Sequence, residues 1–329
     1  MKKKVWIGCG AVLLVGIVAV LLAAGYASLK FKALDVEGQY FDSGGVRIHY
    51  YEQGKGTPVI LVPGLASTIT TNWIATKVLP ELAKQYRAIA LDNRGHGRSD
   101  KPHDPSQYGV EMVKDIVRLM DHLGIEKANV VGYSMGGFIV IKLATMYPDR
   151  LLSVAPCGAG WTSEPDKDLA FLDQLADDLD VGKGFGLLLE RLQPVGKRVG
   201  KAKVMAVDTA MSTMNDLTAL AAALRGMKEL RVTEDELRKN TVPTLAIIGE
   251  RDPLKVFADQ LAATMGNIKE VVLSEADHLS TSGNPEFVQA LEAFFAEHAP
   301  KVKVSQRDCF RSMRGWRRGY ASVRVRAEA

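Results

Sequence analysis

Hydrophobic and polar positions divide this chain into three regimes. From Val5 to Leu29 no residue is charged; as a helix rising about 1.5 Å per residue this stretch would extend roughly 37 Å, against a hydrocarbon core of about 30 Å. After Lys32 short β-rich runs take over, at Val46–Glu52, Val59–Val62, Arg87–Leu91, Asn129–Gly132 and Leu152–Cys157. Between them, Ile74–Lys84, Val110–Leu123 and Phe138–Met146 carry apolar residues at three- and four-residue spacing, which predicts helices with one buried face. Continuous apolar strands separated by helices predict a mainly parallel sheet covered on both faces.

From Trp161 to Asn240 strand character disappears and a helical, leucine- and methionine-rich block begins, with Met205, Met211, Met214 and Met227 among its apolar positions. Strand character returns at Thr244–Gly249 and Glu270–Leu273, and an amphipathic helix is expected near Pro285–His298. The block therefore interrupts the sheet, either as a lid over a pocket or as a plain packing layer. The expected organisation is a membrane-directed segment (1–32), the first part of an α/β core (33–160), a helical lid (161–240), the second part of the core (241–299) and a basic tail (300–329). The tail shows no periodicity and is expected to be disordered, with contact to a membrane surface as the alternative.

Composition sharpens this in two ways. Hydrophobic residues make up 47% of the 329, ample for a core. Residues 1–32 hold five lysines and no acid, and 300–329 hold nine basic residues against two acidic; of the formal net +4, residues 33–299 therefore hold −8. An acidic middle without a basic stripe argues against nucleic acid as a partner. Lys2, Lys3 and Lys4 outweigh Lys30 and Lys32 across the apolar stretch. The positive-inside bias then predicts a single-pass N-terminal membrane anchor with the rest of the chain on the non-cytoplasmic side; secretion after signal cleavage is the alternative. Cys9, Cys157 and Cys309 form no C-x-x-C pair and give no disulfide framework or zinc site.

The strongest chemical motif is Gly132-Tyr133-Ser134-Met135-Gly136, between the strand at Asn129–Gly132 and a helix. A serine on a tight strand-to-helix turn is crowded, so the residues two before and two after it must be small; the helix that follows aims free N–H groups at the site. Serine needs a base to take its proton. Of the six histidines, only His278 and His298 lie beyond the later strands. His298 ends an amphipathic helix, whereas His278 follows the strand ending at Leu273 and so reaches the same carboxyl edge of the sheet as Ser134. The acid that orients it should follow another strand there. Asp252, after Thr244–Gly249, is the choice, with Glu250 as alternative; Asp277 is badly placed for the far ring nitrogen of its neighbour. No phosphate loop, H-E-x-x-H motif or other cofactor or metal signature accompanies these residues.

The order Ser134, Asp252, His278, together with Asp92-Asn93-Arg94-Gly95-His96-Gly97-Arg98-Ser99, resembles the α/β-hydrolase fold family of lipase/esterase type from about Val46 to about His298. The resemblance implies Ser134 as nucleophile, His278 as base, Asp252 as orienting acid, loop-fixing roles for Arg94 and His96, and no cofactor. It also implies an oxyanion hole built from the backbone N–H groups of Leu65 and Met135, with Pro63 standing where family members usually carry His. The implied activity is a carboxylesterase or monoacylglycerol-lipase-like one on a small lipophilic ester. Amide hydrolysis, perhydrolysis and carbon–carbon bond hydrolysis use the same triad, and a silent ligand-binding scaffold is the non-enzymatic alternative.

Overall fold

The structure, a computed structural model, describes residues 34–299. Eight strands, β1 (Gln39–Asp42), β2 (Arg47–Gln53), β3 (Pro58–Val62), β4 (Arg87–Leu91), β5 (Ala128–Tyr133), β6 (Leu151–Cys157), β7 (Thr244–Gly249) and β8 (Ile268–Leu273), form one sheet. Their order is β1-β2-β4-β3-β5-β6-β7-β8, parallel from β4 to β8, with β2 antiparallel to both β1 and β4.

The apolar runs are continuous because both faces of the sheet are covered. Along β3, Ile60 and Val62 join a cluster with Met112 and Ile116 of the helix α2 (Val110–His122) and with Ile139 and Leu143 of α3 (Met135–Met146). Val59 and Leu61 point the other way, into a cluster with Leu79 and Leu82 of α1 (Val78–Leu82) and with Phe287 and Leu291 near the C-terminal end of the described residues. Alternate residues of one strand thus serve two separate cores.

Three elements depart from the sequence pattern. The helix expected over Ile74–Lys84 is the five-residue α1, preceded by a π-helical run at Ile69–Ile74; between them Lys77 takes a left-handed φ of 66°, a break that apolar spacing does not register. Strand β1 buries only Phe41 of its four residues, too little for a period-two signal. The helix Lys255–Thr264 lies outside the expected elements although Phe257, Ala258, Leu261 and Ala262 stand at three- and four-residue spacing; only Ala258 and Leu261 are buried.

Between β6 and β7 stand five helices, α4 (Asp166–Asp180), α5 (Gly186–Arg191), α6 (Lys201–Met214), α7 (Leu217–Gly226) and α8 (Glu234–Lys239). The first four pack on a cluster of their own that includes Leu175, Phe185 and Leu220, against which Leu65 of the β3 loop also rests, while Leu237 of α8 joins Ile141, Leu261 and Met265 in a separate cluster. No residue of α6 is buried, and its Met205 and Met214 are 70% and 68% exposed. Two helices complete the chain order, α9 (Lys255–Thr264) and α10 (Pro285–Glu297). Among the described residues no helix is long and apolar enough to cross a membrane. The expected anchor at Val5–Leu29 and the basic tail at 300–329 lie outside the described residues.

The loop after β4 is held by buried polar groups. Arg94 binds the Asp115 carboxylate through two nitrogens at 2.7 and 2.6 Å, and its carbonyl accepts from His96 Nδ1 at 3.0 Å. His96 is fully buried and its Nε2 has no partner among the described residues. Burial pushes its pKa down from 6.5 to about 4, against the smaller opposing pull of the Arg94 carbonyl. The unfolded chain takes this proton near pH 6.5, while the folded state resists it until about pH 4. Stability is therefore complete above the higher value and falls as pH drops towards the lower one, by about 3 kcal/mol. Denaturation midpoints at pH 7.5 and 4.5 should show this loss, and His96→Gln should flatten it; an unchanged slope in the variant would contradict the assignment.

Candidate active site

The site is built where three parallel strands end. Ser134 caps the N-terminus of α3 immediately after β5, with φ 53° and ψ −116°, a backbone conformation that costs a serine strain. A Cβ on Gly132 would lie 2.0 Å from the Gly136 carbonyl oxygen, and one on Gly136 would lie 2.2 Å from that of Val62. The two flanking glycines are what let the turn close beside β3. The Ser134 N–H donates to Cys157 O at 2.8 Å, which ties the turn to β6.

Asp252 follows β7 and His278 follows β8. His278 Nδ1 lies 2.8 Å from Asp252 Oδ2, and its Nε2 lies 3.1 Å from Ser134 Oγ. The carboxylate accepts, so in the neutral ring Nδ1 carries the hydrogen and Nε2 presents its lone pair to the serine. The second Asp252 oxygen accepts the Leu254 N–H at 2.9 Å. Asp252 and His278 are 1% and 3% exposed. The Tyr133 hydroxyl donates to the His278 carbonyl and anchors that loop; burial, with Asp252 adding to it, pushes the phenol pKa well up and keeps it a donor.

The other acids are occupied elsewhere. Glu250 is exposed and accepts from the Ser274 hydroxyl at 3.1 Å and the Glu275 N–H at 2.9 Å. Asp277 closes its own turn, accepting from Ser280 N–H at 2.9 Å and Ser280 Oγ at 2.8 Å. His298 bonds back to Phe294 O at 2.9 Å at the end of α10.

Leu65 and Met135 border the same cavity as Ser134 and His278. Met135 is the first residue of α3, so its N–H has no carbonyl one turn back. A Cβ on Gly64 would come within 3.2 Å of Ser134 Cβ, which places the β3 loop directly over the serine. Two residues that sequence reasoning missed hold this loop: Asn72 Oδ1 accepts from the Gly64 N–H and Asn93 Nδ2 donates to the Pro63 carbonyl, each at 2.9 Å. Asn72 follows Thr70 and Thr71 in Ile69–Ile74, so a polar side chain there carried no distinguishing mark in the sequence.

The cavity measures about 780 Å³ and runs from the serine into the helical insert, with Phe171, Leu172, Leu188 and Met211 on its walls. Arg191 and Asp168, paired with each other, interrupt that apolar wall, and the Arg191 guanidinium sits 4.4 Å above the Phe171 ring. Among the described residues no group of three or more His, Cys, Asp or Glu is arranged to hold a metal ion. A serine hydroxyl hydrogen-bonded to an imidazole, set at a helix N-terminus beside an apolar chamber, has the groups that nucleophilic attack on a carbonyl needs.

Comparison with known proteins agrees with the fold. A family model described as alpha/beta hydrolase fold matches residues 57–227, just over half the chain. The chain is 36% identical over 131 residues to a 2-hydroxymuconate semialdehyde hydrolase of Pseudomonas sp. (strain CF600), covering 39% of this chain and 45% of that protein. It is 26% identical over 280 residues to a 2-hydroxy-6-oxo-6-(2'-aminophenyl)hexa-2,4-dienoic acid hydrolase of Metapseudomonas resinovorans, covering 81% and 93%. The match spans less than half the length of the first curated relatives. Among solved structures the enol-lactonase from Burkholderia xenovorans LB400 is similar in fold, with TM-score 0.64 and 24% identity over 78% of this chain and 100% of that one.

Proposed function

This chain belongs to the alpha/beta hydrolase fold family, and from that premise we propose that it is a serine hydrolase cleaving a lipophilic carboxylic ester through an acyl-enzyme. The observation that carries the reading is the hydrogen-bonded line from Asp252 through His278 to Ser134 at the floor of an apolar cavity. Ser134 Oγ attacks the carbonyl carbon as His278 Nε2 takes its proton, and Asp252 stabilises the imidazolium. The N–H groups of Leu65 and Met135 hold the oxyanion. His278 then returns the proton to the departing alkoxide, and water, activated by the same ring, releases the acid.

The helical insert acts as the lid, and its methionine- and leucine-lined wall suits a flexible hydrocarbon chain. Fluorophosphonate labelling followed by kcat/KM across straight-chain esters tests the reading. Values should rise with chain length, and a steep preference for acetate would reject it. Carbon–carbon bond hydrolysis is the second reading, favoured by the names of the relatives from Pseudomonas and Metapseudomonas. Turnover of a 2-hydroxy-6-oxo-dienoate faster than of every ester would select it; amide and perhydrolysis assays separate the remaining uses of the triad. Failure of labelling would leave a ligand-binding scaffold.

The uncharged stretch Val5–Leu29 behind three lysines supports a membrane anchor with the catalytic domain on the non-cytoplasmic side. Resistance to carbonate extraction and digestion by external protease are the expected results. Release by carbonate would reject the anchor, and recovery from the medium would instead indicate cleavage.

A further inference from the structure

Oxyanion-hole chemistry depends on which way one peptide N–H points, and here the plane next to it is gripped on both edges. Pro63 C=O and Gly64 N–H belong to the same peptide unit. Its oxygen accepts from Asn93 Nδ2 and its hydrogen is donated to Asn72 Oδ1, each at 2.9 Å. The two asparagines approach from different parts of the fold, Asn93 from the loop after β4 and Asn72 from the π-helical run Ile69–Ile74. They are 2% and 6% exposed. In the next peptide unit the Gly64 carbonyl accepts from the Ser67 N–H at 3.3 Å. In a trans peptide N–H and C=O point in opposite directions, so this leaves the Leu65 N–H aimed away from that turn.

We propose that Asn72 and Asn93 are positioning residues that clamp the Pro63–Gly64 peptide and thereby fix the Leu65 N–H as an oxyanion donor, an inference that rests on the hydrolase reading above. Gly64 carries no side chain to restrict its own ψ, so the orientation of the second plane depends on the first being held. Rotating the clamped unit would break two buried hydrogen bonds. Asp92 supports the same construction, its Oδ1 accepting the Ile69 N–H at 2.8 Å at the start of the π-helical run. Asn72 also borders the cavity, and its Nδ2 donates to no protein group among the described residues. Only the oxygen end of that amide can accept from Gly64, which sets its orientation.

The test compares Asn72→Ala and Asn93→Ala with the parent protein in three measurements: thermal midpoint, kcat and KM on a p-nitrophenyl ester, and inhibition by a trifluoromethyl ketone, which forms an oxyanion on the serine. Loss of one oxyanion donor costs about 10²–10³ in rate, and misorientation of one should cost about 10–100-fold in kcat with KM within about twofold. Ketone affinity should weaken by the same factor as kcat, while the thermal midpoint stays within a few degrees. A merely structural role would move the midpoint and leave the ratio of kcat to ketone affinity unlinked. Folded variants that keep parental kcat and ketone affinity would overturn the proposal, as would a fall in kcat with the affinity retained. Should Asn93→Ala prove too unstable to isolate, Asn72→Ser carries the same measurements, because water in the cavity can fill the vacated space. If the parent protein neither labels with fluorophosphonate nor binds the ketone, the hydrolase reading fails and the clamp falls with it. If the parent does both and the variants match it, the clamp alone fails.

Discussion

Ser134→Ala is expected to abolish fluorophosphonate labelling and to lower turnover by about 10⁴-fold or more. In the proposed mechanism the covalent intermediate grows from the serine, whose Oγ lies 3.1 Å from His278 Nε2. The three residues act as one unit, so Ser134→Ala combined with His278→Gln should be little worse than either alone. What remains should come from the chamber itself, since Leu65 and Met135 still offer N–H groups to a carbonyl attacked by water. The substitution removes an oxygen from a residue whose backbone is strained, and an alanine there faces the same φ of 53°, so stability should change little. Mass spectrometry of the labelled peptide decides the matter: a probe attached to any other serine would remove Ser134 from the mechanism.

The triad was legible in the sequence because each member sits in the loop or turn just beyond the end of a strand, and the ends of parallel strands share an edge. Ser134 follows β5, Asp252 follows β7 and His278 follows β8, so strand recognition together with the glycine-flanked serine motif brought the three together. The choice of Asp252 over Glu250 was less secure in principle, because both lie in one turn; the structure separates them by pointing Glu250 out to Ser274. Asn72, Asn93 and Tyr133 were not legible as parts of the site. The Asn93 contact depends on β3 lying beside β4, an adjacency that strand order along the chain does not reveal, and the Tyr133 contact depends on the loop after β8 reaching back to the end of β5. Asn93 reaches Pro63 only because the ends of β4 and β3 are neighbours, and Asn72 reaches Gly64 only because the run after the loop is π-helical and folds back. Strand β1 escaped for the opposite reason: it buries too few side chains to impose a period.

Asp115→Ala is expected to destabilise the fold by about 3–5 kcal/mol, because it leaves the Arg94 guanidinium buried without its counter-charge. Both side chains are 1% exposed. The Asp115 carboxylate also accepts from the Ser43 hydroxyl at 2.5 Å, and Arg94 donates to the Gln107 carbonyl at 2.5 Å, so the pair joins α2, the β1–β2 turn and two loops at one point. The attraction between two buried charges is largely offset by the cost of taking them out of water, and the single variant suffers that cost without the compensation. Replacing both partners, Arg94→Met with Asp115→Leu, should therefore recover much of the lost stability, giving a large coupling energy in the double-mutant cycle. Denaturant midpoints for the four proteins measure it; a single variant within 1 kcal/mol of the parent would mean the pair is solvated in solution. The same loop carries Asn93 next to Arg94. Asp115→Ala should thus lower kcat under conditions where the protein is still folded, and the double variant should regain stability and kcat together if the ion pair acts on the site only by holding the loop that presents Asn93 to Pro63.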